Sequence, residues 1–163
     1  MCRVEATDKM PSFEDKVRES FSRQTFMTTL GAKISCPSEG QVEIRMPFSD
    51  SFVQQNGFMH AGTISSIMDS ACGYAAYSVA PEGCDVLTVE FKVSLLAPAI
   101  GDEFLAIGKV KRRGRTLTIC AADAFAIGRD GEKLIATMLG TIMNLCPSGK
   151  GITTDDTDNT DSH

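Results

Sequence analysis

The stretch from His60 to Ala80, HAGTISSIMDSACGYAAYSVA, constrains the fold more than any other part of the chain, because it has helical periodicity and a single formal charge, Asp69. Ile64, Ile67, Met68, Ala71, Cys72, Ala75 and Val79 recur at i, i+3, i+4 spacing and predict one continuous apolar stripe. The other sides carry Ser65, Ser66, Ser70, Gly73 and Tyr74 in place of Lys, Arg or Glu. A helix of this composition belongs inside protein, not on a wet surface. An aspartate at its middle neither caps the helix nor gains from the macrodipole, and enclosure raises its pKa by disfavouring the charged form. Two readings are open: Asp69 hydrogen-bonds a neighbouring strand, or it performs chemistry.

The flanking patterns say what encloses this helix. Ser12 followed by Asp15 has the form of a capping box, and Phe13, Val17 and Phe21 extend a helical stripe to about residue 27. Residues 32–36 and 41–46 read as short strands around Pro37-Ser38-Glu39-Gly40. Beyond Pro81-Glu82-Gly83 the period becomes two. Leu87, Val89, Phe91, Val93 and Leu95 are expected on one face of a strand, with Thr88, Glu90, Lys92 and Ser94 on the other. Strands over 103–111, 116–127 and 133–145 follow, joined at Arg113-Gly114 and Asp130-Gly131. The arrangement that buries both the sheet's apolar face and the helix is an α+β fold, a curved antiparallel sheet wrapped round a long central helix.

At 163 residues the chain suits a single core domain. Residues 1–30 form an N-terminal segment with a short helix, 31–146 the body, and 147–163 a tail. With Asp155, Asp156, Asp158 and Asp161 against Lys150, one Ile and no aromatic residue, that tail is expected to be disordered and solvating. The net charge of -5 gives no nucleic-acid surface. The 60–80 stretch has spanning length, but its central aspartate, two glycines and four serines make it a poor membrane span. The N-terminus lacks an apolar signal core. Cys2, Cys36, Cys72, Cys84, Cys120 and Cys146 show no CxxC pair and no metal-ligand spacing with either His. They are expected to be reduced, mostly buried thiols of a cytoplasmic protein without a metal site.

The candidate chemistry begins just before the helix, in Gln54-Gln55-Asn56-Gly57-Phe58-Met59-His60-Ala61-Gly62. Backbone N–H groups at Ala61 and Gly62, beside small side chains, could hold an oxyanion at the helix N-terminus. Asp69 lies about 13 Å along the axis from His60 at 1.5 Å per residue, too far to act on the same carbonyl within one subunit. Two helices packed antiparallel about a two-fold axis would bring the start of one to the middle of the other.

The run GFMHAGTISSIMDSA resembles the G-x-x-H-G-G-(x)6-D/E signature of the PaaI-like hotdog-fold acyl-CoA thioesterases, and the likeness continues through VLTVEFKVSLLAPA and KVKRRGRTLTICAADAF, over roughly residues 40–145. The resemblance implies a hotdog fold and hydrolysis of an acyl-CoA thioester by a homodimer or homotetramer, with coenzyme A as part of the substrate and no separate cofactor. It assigns Asp69 as nucleophile or general base, Gln54 as a group that polarises the thioester or orients water, and the N–H of Ala61 as the oxyanion contact. Thr88 corresponds to a water-positioning Ser or Thr at the start of the next strand. Ala97 and Pro98, with Arg112, Arg113, Gly114 and Arg115 at the basic hairpin, are implied coenzyme A contacts. His60 either takes part in the site or orients the loop, and the arginines could equally be a solvated turn. Ala61 replaces the family's first glycine, and Gly73 stands where Glu-bearing members carry Ser or Thr. Ser65, Cys72, Tyr74 and the 49–58 loop are candidate acyl-pocket linings. Hydratase or dehydratase chemistry on an acyl thioester and a non-catalytic acyl-CoA-binding module are the alternatives, because fold alone does not fix the reaction.

Overall fold

The computed structural model describes residues 12–35 and 37–147; the acidic tail from residue 148 onward, the first eleven residues, and Cys2 and Cys36 lie outside them. Helices α1 (Phe13–Ser22) and α2 (Thr25–Thr29) lead into strands β1 (Lys33–Ile34) and β2 (Gln41–Pro47), then the long helix α3 (Ala61–Val79), then β3 (Asp85–Leu95), β4 (Glu103–Arg112), β5 (Leu117–Gly128) and β6 (Gly131–Leu145). The six strands make one antiparallel sheet in the order β1-β2-β4-β5-β6-β3. Its inner face wraps α3, as in the hotdog fold.

The Ser12 capping box forms, with Asp15 N–H donating to the serine hydroxyl and the Asp15 carboxylate accepting from the Ser12 backbone. The helical run breaks earlier than residue 27. The Arg23 N–H turns back to the carbonyls of Phe21 and Ser20, Ser22 Oγ donates to the Glu19 carbonyl, and Gln24 is extended. These local bonds compete with continuation of the helix, and the threonines beyond have weak helix propensity. Strand β1 keeps two residues of the five expected.

Ile64, Ile67, Met68, Ala71, Cys72 and Ala75 are fully buried, as their spacing requires, while Val79 is half-buried. They meet Val42, Ile44 and Met46 of β2, Phe104 and Ala106 of β4, and the alanine-rich inner face of β5. The helix lies very close to the sheet: a Cβ on Gly108 would stand 2.3 Å from the carbonyl atoms of Ala71. Tyr74 and Tyr77 face α1 instead, where Phe21 packs edge-on to Tyr74 with ring centroids 5.5 Å apart and the Lys16 ammonium sits 4.1 Å over the Tyr77 ring.

Two expectations are corrected here. Cys84 and Cys146 are joined as a disulfide, so they are not reduced thiols; Asp85 pairs with Leu145, which brings the two cysteines face to face at the end of the β3–β6 ladder. Cys72 and Cys120 remain free and buried, and burial pushes the Cys120 thiol up to about 12 and Cys72 further in the same direction. Strand β3 also does not alternate simply. Its pairing with β6 shifts by one residue between Thr88 and Glu90, leaving Val89 as a bulge. Thr88 opposite Ile142 and Phe91 opposite Gly140 therefore both lie on the inner face of the sheet, although period two places them on opposite faces.

Candidate active site

The bulge in β3 brings the site's two central side chains together. Thr88, turned inward, donates its hydroxyl to Asp69 Oδ1 at 2.8 Å from the middle of α3. Burial raises the pKa of the Asp69 carboxyl above the ordinary aspartate value, and the Thr88 hydrogen bond opposes that shift by favouring the charged form. Asp69 is nevertheless not sealed in the core. It opens on a cavity of about 450 Å³ between α1, α3 and the start of β3, whose walls include Gln24, Ser70, Gly73, Tyr74 and Val86.

These energetics give a pH prediction. Thr88→Val removes the bond that lowers the Asp69 pKa, so the pKa rises further and the carboxylate is lost at a higher pH than in wild type. The acid limb of kcat/KM should move to higher pH while the high-pH plateau is approached as before. Superimposable pH–rate profiles would show that the Thr88–Asp69 bond has no part in catalysis.

The second half of the site is the loop entering α3. His60 is the N-cap, and its Nδ1 accepts the Gly62 N–H at 2.9 Å, which fixes the other ring nitrogen, Nε2, as the one that bears the proton of the neutral ring. That hydrogen bond ties the entering loop to the first turn of α3, and it corrects one expectation. The Gly62 N–H is used by the cap and is not a free oxyanion donor. The Ala61 N–H has no acceptor among the described residues. Gln54 lies in a tight turn closed by the Gly57 N–H to the Gln54 carbonyl, with Gly57 at a φ of 81° that favours glycine. Its Oε1 accepts the Asn56 N–H at 3.0 Å, leaving the Nε2 amide as a donor. Gln54, Ala61, Ala97 and Pro98 line one apolar pocket of about 210 Å³.

The remaining candidates separate. Arg112, Arg113 and Arg115 are exposed on the β4–β5 hairpin and form no ion pair among the described residues. Asn144 Nδ2 holds this hairpin by donating to the carbonyls of Gly114 and Arg115 at 3.3 and 3.1 Å. Asn144 pairs with Val86, a wall of the Asp69 cavity, so the hairpin stands one strand from that cavity. Tyr74 lines the Asp69 cavity and not the apolar pocket beside Ala61. Cys72 is instead buried in the core, and Ser65 Oγ donates to the Ala61 carbonyl within the helix. Sequence reasoning missed Gln24, whose Oε1 accepts from Ser70 Oγ at 3.4 Å; only the packing of α1 and α2 on α3 reveals it. A separate cleft of about 690 Å³ beside the β5–β6 turn contains neither Asp69 nor Ala61.

Comparison with known proteins decides the family. Residues 56–132 match the model of the thioesterase superfamily. The chain is 30% identical over 109 residues to a protein of Saccharolobus solfataricus named as a candidate esterase, covering 66% of this chain and 77% of the relative. It is 49% identical to a thioesterase family protein from Silicibacter pomeroyi of known crystal structure, with a TM-score of 0.82 over 83% of this chain and 99% of the other. The chain belongs to the thioesterase superfamily. Membership makes thioester hydrolysis the reaction class. The PaaI protein of E. coli, from the phenylacetic acid degradation operon, shares the fold with a TM-score of 0.73 at 19% identity, covering 82% and 93% of the two chains. No described helix of this superfamily member is long and apolar enough to cross a membrane.

Proposed function

We propose that this thioesterase hydrolyses an acyl-CoA thioester to a carboxylic acid and free coenzyme A, at two equivalent sites formed between paired subunits. The observation that carries the reading is the separation of two complementary half-sites on one helix. The Asp69–Thr88 pair lies mid-helix, and the free Ala61 N–H lies eight residues earlier, about 12 Å along the axis. A second copy in antiparallel contact would close that gap. The edge of β3 supports such a contact: Leu87, Val89, Phe91 and Leu95 are between 45% and 56% exposed on an eleven-residue strand with one free edge among the described residues. Long apolar edges of this kind are sites of pairing.

In the composite site Asp69 acts as general base. Its burial-raised pKa improves it as a proton acceptor. Water attacks the thioester carbon as its proton passes to the Asp69 carboxylate of one subunit. The tetrahedral oxyanion is held by the Ala61 N–H and Gln54 Nε2 of the other, where a fixed donor is worth about 3 to 4 kcal/mol. Collapse breaks the C–S bond, and the coenzyme A thiolate leaves with the proton returned from Asp69. Coenzyme A is thus a leaving group and no further cofactor takes part.

The exposed arginines supply contact for the coenzyme A phosphates, since guanidinium pairs with phosphate through parallel hydrogen bonds. Arg112→Ala combined with Arg113→Ala should raise KM for an acyl-CoA several-fold and change kcat little, because remote contacts hold ground and transition states alike. Steady-state hydrolysis monitored by free-thiol release tests this. An unchanged KM would return both arginines to a solvated turn, and absence of turnover across an acyl-CoA panel would overturn the function itself.

A further inference from the structure

We propose that the acyl group occupies the apolar pocket beside Ala61 and that Phe58 sets its length, an inference that rests on the thioesterase reading above. From a carbonyl held at Ala61, the substrate has two arms of different chemistry. One is a polar thiol arm with amides and a phosphorylated end, and the other is the acyl chain.

The two cavities adjoining the half-sites differ in the same way. The cavity at Asp69 is lined by Ser20, Arg23, Gln24, Ser70, Tyr74 and Asp85, and its β3 wall pairs, through Val86 and Asn144, with the strand that anchors the basic hairpin. It matches an amide-bearing arm running toward phosphates. The pocket at Ala61 has Gln54 as its one polar side chain and is otherwise walled by groups such as Met59, Ile64, Leu95 and Ile135. Burying a hydroxylated or charged acyl group there would leave polar atoms unpaired, whereas each methylene buried is favourable.

The pocket's size limits the chain. Its volume of about 210 Å³ accommodates about seven groups of the size of a water molecule, at ~30 Å³ each. The fitting substrates are therefore apolar acyl groups of about six to eight carbons. Phe58 and Ala99 line both this pocket and the neighbouring 690 Å³ cleft, so they form the wall between the two. Of these, Phe58 has the large side chain. It is half-buried on the loop before α3, away from the helix–sheet core. Truncating it would join the small pocket to the large cleft.

The test is a kcat/KM series over straight-chain acyl-CoAs from acetyl to palmitoyl, for wild type, Phe58→Ala and Ala97→Leu, with thermal melting of each protein. Wild type should peak near hexanoyl- or octanoyl-CoA and fall at least about tenfold by dodecanoyl-CoA. Phe58→Ala should raise the dodecanoyl-to-hexanoyl ratio by at least about tenfold, and Ala97→Leu, which fills the pocket, should lower the hexanoyl-to-acetyl ratio by a similar factor. Ratios within one preparation are independent of how much protein is folded. Equal turnover of hexanoyl and palmitoyl substrates by wild type, or a ratio unmoved in both variants, overturns the inference and leaves the hydrolase intact. Failure of every acyl-CoA to turn over overturns both.

Discussion

Asp69→Asn is expected to lower kcat at least about a hundredfold while the protein still folds, assembles and binds acyl-CoA, the loss being the lower end of a general-base contribution. Asparagine keeps the side-chain shape, and its carbonyl oxygen can still accept the Thr88 hydroxyl that now meets Oδ1 at 2.8 Å. What disappears is the proton acceptor. The same substitution has a second signature in stability. Burial raises the Asp69 pKa in the folded state, so its contribution to stability is fully present below the unfolded pKa and is lost as pH rises through the folded one. Above its folded-state pKa the carboxylate is a desolvated charge that weakens the fold, and neutral Asn relieves it. Thermal melting at pH 7 should therefore show Asp69→Asn at or above wild-type stability. A purely structural aspartate predicts near-normal kcat, or loss of assembly and stability together with activity.

The largest effect on folding is expected at Gly108. Its Cβ would lie 2.3 Å from Ala71 C and O and 2.7 Å from Cys72 N, all backbone atoms of α3 that no rotamer change can move aside. Gly108→Ala must push the helix off the sheet. Overpacking of flexible cores costs about 1 to 3 kcal/mol, and a rigid obstacle belongs at or beyond the upper end. Tm should fall by roughly ten degrees or more. Ala71 is two residues from Asp69, so the remaining folded protein should also lose turnover. Gly140→Ala is the control: it too faces inward on the sheet, but its Cβ would meet Phe91 Cβ and the Glu90 carbonyl at 3.7 Å, ordinary contact distances. Equal melting temperatures for the two variants would contradict the close approach of α3 to β4.

The helix and the sheet were legible because their signals are periodic and local. Ile64, Ile67, Met68 and Ala71 declare a buried face without reference to any other element, and Ser12 with Asp15 declares a helix start. The Asp69–Ala61 spacing was legible for the same reason, since helix rise is fixed. What escaped depends on partners distant in sequence. The bulge at Val89 exists only relative to the register of β6, more than forty residues away, and without it Thr88 points away from Phe91's face and from Asp69. The Cys84–Cys146 bond spans 62 residues and required knowing that β3 and β6 are neighbours in the sheet although not in sequence. The use of the Gly62 N–H by His60 is local, but it turns on a side-chain rotamer that residue types do not specify. The same holds for Gln54, whose carbonyl oxygen is occupied by the Asn56 N–H, leaving the amide nitrogen to act.

The claim on which the rest depends is that each active site draws Asp69 from one subunit and the Ala61 N–H from another, and subunit complementation tests it most directly. Ala61→Pro removes that N–H at the first helical position, where proline is well tolerated, and His60 at φ -63° and ψ 137° already has the conformation favoured before proline. Ala61→Pro and Asp69→Asn should each be nearly inactive alone. In an equal mixture refolded together, a site is intact when an Ala61→Pro chain supplies Asp69 to an Asp69→Asn chain supplying Ala61. Random pairing makes about a quarter of the sites intact. The account predicts recovery of about a quarter of wild-type activity on mixing two nearly dead proteins. A mixture no more active than its components, with subunit exchange demonstrated by differential tagging, would contradict the shared site.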